Sequence, residues 1–223
     1  QEVFLQQPSS VQTFLTRSST LKEMSPRLCR KILGIDGAAD LLVTVEAENL
    51  FILRLESDED WYRYHHLFRE FLQSRFEAQE PKLWRALHER AASWFKAHGD
   101  TRTAVEHYLK VGAITDAAEL MAAAARDLYI TGQVATLIGW RDELPASVLE
   151  TVPRLALFQA RAVHDSGDYE AALELAEIAE SGYGARADSE GVAYARLKRC
   201  ETWLSLGRTR EALALSKSVL ELL

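Results

Sequence analysis

The sequence contains few of the residues that break or cross-link a chain. Its 223 residues include 11 Gly, 5 Pro and 2 Cys. So few turn-forming residues favour long helices or strands over loops. The two cysteines, Cys29 and Cys200, are too far apart for a metal-binding motif, and both lie in mainly apolar neighbourhoods. We expect two small buried side chains and no disulfide framework.

Several functional motifs are absent from the sequence. There is no GxxxxGK[ST] phosphate loop, so the chain cannot cradle a nucleoside triphosphate by itself. There is no nucleophile elbow and no convergent pair of carboxylates. No apolar run is long enough to cross a bilayer. We therefore expect no enzymatic activity, no cofactor bound by this chain alone and no membrane contact.

The charge is acidic overall and uneven along the chain. A net charge of −7 disfavours a general nucleic-acid-binding protein, because such proteins carry a basic face. Residues 61–102, however, contain eight Lys and Arg against five Asp and Glu. A basic zone of this kind fits a phosphate or an acidic partner, although solvated helix faces explain it more simply.

The apolar spacing of the first third predicts three short helices, a hairpin and a fourth helix. The first helix starts after Pro8 with a serine cap, the second runs from Ser25-Pro26 to Gly34, and the third covers Ala38–Glu48. Residues 51–56 and 61–65 alternate as strands around an acidic turn at residues 57–60. The fourth helix has one apolar face, formed by Leu67, Phe68, Phe71, Leu72 and Phe76.

This order of elements is typical of a winged-helix domain, which we place at residues 1–78. Winged helices commonly bind DNA through their third helix, which needs hydrogen-bond donors to reach bases and phosphates. Here the third helix contains no Lys or Arg. We therefore expect no DNA contact by this domain.

A glycine repeat organises the rest of the chain. Gly99, Gly132, Gly167 and Gly207 are 33, 35 and 40 residues apart, close to the period of about 34 residues in tetratricopeptide-like helix pairs. An alanine follows most of these glycines after five residues and would allow close helix packing. The predicted fold is thus mainly α, a winged-helix domain with one β-hairpin followed by a tetratricopeptide-like α-helical repeat array. Residues 79–150 would form connecting helix pairs, and residues 151–223 the start of a truncated sensor domain.

The aromatic string WYRYHHLF at residues 61–68 is the most distinctive motif of the sequence. Asn49-Leu50-Phe51 precedes it, and Leu87-His88 with Ala91 and Trp94, then Gly99 with Ala104 and His107, follow it. Together these residues resemble the large ATP-dependent LuxR-type transcription activators of the MalT-like group, which belong to the STAND family of ATPase switches. The resemblance covers nearly the whole chain.

The resemblance implies the layout of a longer cytoplasmic protein. Such proteins carry a P-loop ATPase domain, a winged helix, a helical-repeat sensor and a C-terminal DNA-binding domain. This chain would be an internal fragment containing the winged helix and the start of the sensor. ATP or ADP would bind the full-length protein. The implied partners are the upstream ATPase domain of the same chain and a small-molecule or protein effector on the repeats, and the activated full-length protein would self-associate.

The resemblance also implies a role for a histidine. In related ATPase switches, a histidine of the winged helix contacts the β-phosphate of ADP and keeps the protein closed. The position of His65, just before a helix, resembles the position of that residue, and His66 is the second candidate. Tyr64 and His66 stand where the related motif has Met and Asp.

Two simpler interpretations remain open at this stage. His65 and His66 are also compatible with a strand-end pair satisfied by backbone groups, and the repeats with a protein-protein interaction scaffold without any nucleotide link. A metal site is disfavoured, because the six histidines contain no helical i,i+4 pair and neighbouring residues on a strand point to opposite faces.

The composition of the third helix generates a first prediction. The 223-residue chain should show no salt-dependent retention on immobilised duplex DNA, because phosphate contacts by Lys and Arg are the origin of that retention. A basic DNA-binding domain run on the same column serves as the positive control. Retention that weakens steeply with added salt would show that the winged helix binds DNA.

Overall fold

Helices dominate both halves of the chain. The computed structural model describes residues 2–48, 50–55 and 60–220, and only the backbone of Glu2 and Val3. Its elements, in order, are α1 (Glu2–Leu5), α2 (Ser9–Ser18), α3 (Pro26–Leu28) continued by a π-helix (Cys29–Leu33), α4 (Ala38–Ala47), β1 (Ile52–Arg54), β2 (Tyr62–Tyr64), α5 (His66–Gln79), α6 (Pro81–Ala97), α7 (Thr101–Lys110), α8 (Ile114–Ile130), α9 (Val134–Gly139), α10 (Ala146–Thr151), α11 (Pro153–Asp165), α12 (Tyr169–Ala185), α13 (Ser189–Ser205) and α14 (Thr209–Leu220).

The chain divides into two compact units, residues 1–111 and residues 112–223. The predicted winged helix and hairpin lie in the first unit, and most of the helical repeats lie in the second. The three-part division at residues 1–78, 79–150 and 151–223 stays a prediction.

The first unit begins as the sequence pattern indicates. Ser25 caps α3 by accepting a hydrogen bond from the Leu28 N–H, with Pro26 in the first turn. Gly34 ends the π-helix in the left-handed conformation, with φ of 71°. The predicted serine cap of α2 is wrong, because Pro8 occupies the cap position and Ser9 is already helical. The core of this unit contains fully buried Phe14, Leu15, Met24, Ile32, Leu42, Leu72 and Phe76.

The predicted hairpin is present and gains a third partner. β1 and β2 pair antiparallel, with Leu53 opposite Arg63. Met24 forms an isolated antiparallel bridge with Tyr62, through two backbone hydrogen bonds of 2.8 Å. The predicted helix break at Asn49, the last residue of the first predicted strand (Glu56) and most of the acidic turn (residues 57–59) lie outside the described residues. Asp60 is described and forms an ion pair with Arg54.

Helix α5 anchors the hairpin to the core. Leu72 and Phe76 are fully buried, as the apolar spacing predicts. Leu67 is 62% exposed, so it lies outside the buried part of the apolar face. The reason is its position at the margin of the stripe, in the first turn of the helix.

The glycine repeat is confirmed by the backbone. Gly99, Gly112, Gly132, Gly167 and Gly207 all have positive φ values, between 67° and 90°, after a helix end. This left-handed conformation closes the end of each helix, and only glycine adopts it without strain. The alanines five residues later, Ala104, Ala117, Ala172 and Ala212, are buried.

Helices α11 to α14 form the best-developed part of the repeat array, and each packs against the next. Asp168 and Asp188 cap α12 and α13 by accepting hydrogen bonds from backbone N–H groups in the first turn. Both predicted buried cysteines are confirmed, with Cys29 fully buried and Cys200 7% exposed. Burial raises the pKa of the Cys29 thiol to about 12.

Close packing against α12 generates a prediction about Gly182. A Cβ atom there would lie 2.3 Å from the Glu150 carbonyl oxygen and 3.0 Å from Pro153 Cβ. Gly182→Ala should therefore lower the free energy of unfolding by about 1–3 kcal/mol, because overpacking forces the backbone apart.

Gly184 in the same helix provides the matched control, because a Cβ there meets nothing within 4 Å. Gly184→Ala should raise stability by about 0.5–1 kcal/mol through its better helix propensity. Urea unfolding of both variants measures the difference, and equal effects would contradict the packing described here.

Candidate functional site

His65 and His66 lie where the hairpin becomes a helix. His65 occupies the cap position of α5, with extended backbone angles (φ −58°, ψ 137°), and His66 is the first helical residue. The His65 N–H donates to the Phe51 carbonyl over 2.8 Å, and the His65 carbonyl accepts from the Arg69 N–H over 3.0 Å. The backbone of His65 is therefore held by the residue that precedes β1 on one side and by α5 on the other.

The two imidazole rings lie side by side. Their ring centroids are 4.5 Å apart, with the planes tilted by 34°. The expectation that they point to opposite faces of a strand is wrong, because β2 ends at Tyr64 and the chain turns at His65. Both side chains are exposed.

A basic cleft of about 450 Å³ surrounds these histidines. Leu53 and Tyr64 supply part of its wall, and its polar lining consists of Lys22, Arg63, His65, His66, Arg69 and Glu70. The first backbone N–H groups of a helix have no intrahelical acceptor and carry a partial positive charge. Three cationic side chains at such a helix start favour an anion, and Glu70 is the only carboxylate among the described residues of the lining.

Arg69 has a structural role as well. Its Nε donates to the carbonyls of Ser19 and Leu21, at 3.0 and 3.2 Å, and its Nη2 donates to Thr20 at 3.4 Å. Gln73 Nε2 also donates to Ser19, at 2.9 Å. Burial lowers the pKa of Arg69. These contacts hold the guanidinium at the edge of the cleft.

The simpler expectation that the arginines of this zone lie on solvated helix faces holds for Arg85 and Arg90, which are exposed, and is wrong for Arg69, which is half-buried. Besides Arg69, Arg85 donates to the Val111 carbonyl at 2.8 Å, and Arg90 donates to the Ile32 carbonyl at 2.9 Å. They complete the backbone hydrogen bonding of neighbouring segments. Arg63 remains exposed on β2, beside the histidines.

Tyr64 and Phe68 attach the cleft to the core. The Tyr64 hydroxyl is buried and shares a 2.7 Å hydrogen bond with the Ser18 hydroxyl, and burial raises its pKa. Phe68 packs between Tyr64 and Phe51, with centroid separations of 5.8 and 5.2 Å. Sequence reasoning missed Ser18, because nothing in the spacing of a helical serine indicates a partner 46 residues away.

Two of the three remaining histidines of the first unit, His88 and His107, form a separate pair. His88 on α6 and His107 on α7 are 2% and 6% exposed, and their Nδ1 atoms are 2.9 Å apart. Burial lowers the pKa of His88 to about 3 and that of His107 to about 4. Within residues 2–48, 50–55 and 60–220, no group of three or more His, Cys, Asp and Glu side chains is placed to hold a metal ion.

Comparison with known proteins shows which family this chain is similar to. A family model described as the MalT winged helix domain matches residues 1–84. The HTH-type transcriptional regulator MalT of Yersinia pestis (strain Pestoides F) is 31% identical over 181 residues, which is 80% of this chain and 20% of that protein. The chain is MalT-like. The same regulator of Yersinia enterocolitica is 29% identical over 225 residues, or 100% of this chain and 25% of that protein.

The residues that match the MalT winged helix domain thus include the hairpin, α5 and the lining of the basic cleft. The chain spans about a fifth to a quarter of the length of the MalT relatives that it matches. None of the helices in the described part of the chain is both long and apolar enough to span a membrane.

The buried histidine pair generates a prediction on pH dependence. Both pKa values are lower in the folded state than the ordinary value of 6.5. The unfolded state therefore binds more protons below about pH 6.5, and the free energy of unfolding falls as the pH falls toward 4. Urea midpoints at pH 7 and pH 4.5 measure this loss.

The double variant His88→Leu/His107→Leu removes both titrating groups and both polar partners, and the side chains are of similar size. Its urea midpoint should fall less between pH 7 and pH 4.5 than that of the unmodified chain. An equal fall in both proteins would show that the pair does not titrate as its burial requires.

Proposed function

We propose that this chain acts as the regulatory segment of a longer, cytoplasmic MalT-type transcription regulator, in which the basic cleft senses the phosphate of a bound nucleotide. The name of the relatives, HTH-type transcriptional regulator, supports the regulatory role. The observation that carries the nucleotide link is the position of His65 and His66 in a cationic cleft at the start of α5.

The lining residues fit one phosphate group. Two imidazoles supply ring N–H donors, Arg63 and Lys22 supply exposed positive charge, and the α5 terminus supplies backbone N–H groups. This set does not enclose a whole nucleotide, since the sequence has no phosphate loop. The rest of the nucleotide would be held by the ATPase domain that precedes the winged helix in our proposal.

In this mechanism, His65 donates to the β-phosphate of ADP and stabilises a closed packing of the ATPase domain on the winged helix. His66 supports it as the neighbouring ring. The repeats bind a small-molecule or protein effector, which has a higher affinity for the open packing than for the closed one. The protein in the open packing then self-associates. An effector shifts such an equilibrium only by its difference in affinity for the two packings.

A second candidate function is a helical-repeat scaffold without a nucleotide link. A cleft of about 240 Å³ in the second unit favours it, with Tyr129, Arg161, Tyr194, Leu197 and Lys198 among its lining residues. Tyr194 and Leu197 are 47% and 45% exposed, which suits contact with a partner chain. A phosphate loop upstream of Gln1 in the longer protein would favour the first function, and its absence the second.

The test replaces His65 in the longer protein that contains this chain. His65→Asn should speed the release of ADP by about ten- to a hundredfold, because a hydrogen bond to a charged group contributes about 1.5–3 kcal/mol. Basal transcription activation should rise in the same variant. Stopped-flow release of a fluorescent ADP analogue measures the rate.

Lys82→Gln is the control, because Lys82 is an exposed cation at the start of α6 and lies outside the cleft lining. Its ADP release should match that of the unmodified protein. An unchanged release rate in His65→Asn would remove His65 from the mechanism and leave the scaffold function.

A further inference from the structure

A second, smaller cleft lies beside α5 in the first unit. It has a volume of about 160 Å³, and its lining includes Lys22, Arg69, Gln73, His88, His107 and Lys110. Arg69 and Lys22 line both clefts, whereas His65 and His66 line only the larger one. The family resemblance includes His88 and His107 among its motif residues, and the proposed function leaves both without a role.

The histidine pair forms a buried polar wall of this cleft. A hydrogen bond between two Nδ1 atoms requires that one ring donates and the other accepts, so the two nitrogens share one proton. His88 Nε2 is also buried, and it has no hydrogen-bond partner among the described residues. A buried nitrogen without a partner is destabilising, and it belongs to a residue that lines the cleft.

The charges around the wall are mainly positive. Arg69 on α5 and Lys110 at the end of α7 both lower the pKa of His88, and Arg69 also lowers that of His107. Asp100, at the start of α7, acts on His107 in the opposite direction. Glu106 is the carboxylate of the lining, and its Oε1 is 3.5 Å from Arg102 Nε. The cleft therefore has an excess of positive charge beside two neutral imidazoles.

We propose that this cleft binds a phosphate group, either as inorganic phosphate or at the end of a phosphomonoester, with Lys22, Arg69 and Lys110 neutralising it against the His88–His107 wall. The volume suits a tetrahedral oxyanion and is smaller than the pockets of about 300 Å³ or more that hold drug-sized ligands. The proposal is independent of the nucleotide link, because His65 and His66 do not line this cleft.

The histidine wall couples anion binding to protons. A bound anion offsets the positive field of Arg69 and Lys110, which stabilises the protonated form of the pair. Because the pKa values of the pair are about 3 and 4 without a ligand, binding should take up protons and become tighter as the pH falls from 6 to 4.5. Sulfate is the probe for this measurement, because it does not titrate in that range and any pH dependence then belongs to the protein.

The experiment follows the 223-residue chain by NMR during sulfate titration, with chloride replacing sulfate at constant ionic strength as the reference. The reporter is the indole N–H of Trp84, whose ring centroid lies 4.1 Å from that of His88. Lys110→Gln should weaken sulfate binding by about tenfold, since a charge-assisted hydrogen bond is lost from a partly desolvated cleft. Lys96→Gln, which removes an exposed cation from α6 outside the lining, should leave binding unchanged.

Arg63→Gln separates the two clefts, because Arg63 lines only the larger one. The proposal requires that the Trp84 response persists in Arg63→Gln and weakens in Lys110→Gln. The proposal would be overturned if the Trp84 response weakened in Arg63→Gln and persisted in Lys110→Gln. It would also be overturned by a response that does not saturate, or by equal sulfate affinities in Lys110→Gln and Lys96→Gln. Parallel titrations with inorganic phosphate and glycerol 3-phosphate compare the two sources of the phosphate group. The one that binds more tightly identifies whether the cleft takes free phosphate or a phosphomonoester.

Discussion

The buried end of α2 is the constraint on which the first unit depends. Ser19, Thr20 and Leu21 are fully buried, and their carbonyl groups need hydrogen-bond partners there. Arg69 supplies donors to all three, and Gln73 adds a second donor to Ser19. Because both donors are on one face of α5, this network also sets the rotation of α5 against α2.

The same network positions both clefts. Once Arg69 is held against the α2 end, its guanidinium lies between the histidines at the α5 start and the His88–His107 pair. The hydrogen bond between Tyr64 and Ser18 fixes the preceding strand in a similar way. Each candidate site thus has exposed Lys or Arg side chains that lie next to buried, hydrogen-bonded polar groups. A substitution of Arg69 would alter the fold and both clefts together. Arg63 and Lys110 each line only one cleft, so substitutions there test the two clefts separately.

Much of the fold follows from local patterns. The glycines after each helix have the left-handed backbone that their spacing predicts, and Ser25-Pro26 starts a helix because serine caps and proline fits the first turn. The alternation of Tyr62 and Tyr64 with Arg63 correctly predicts the strand, and the structure shows that the two tyrosines form its buried face. The error at the α2 cap lies at the margin of a helix, where one residue of shift changes the environment of a side chain.

The candidate sites could be predicted only in part. The sequence by itself determined that His65 and His66 lie where a strand becomes a helix, within a basic zone of an acidic chain, because period and charge are local properties. It could not determine that their rings are neighbours, that Arg69 serves buried carbonyls, or that His88 contacts His107 across two helices. Those facts depend on how α5, α6 and α7 pack. Packing is decided by the summed burial of apolar faces and by the need of each buried polar group for a partner distant in sequence.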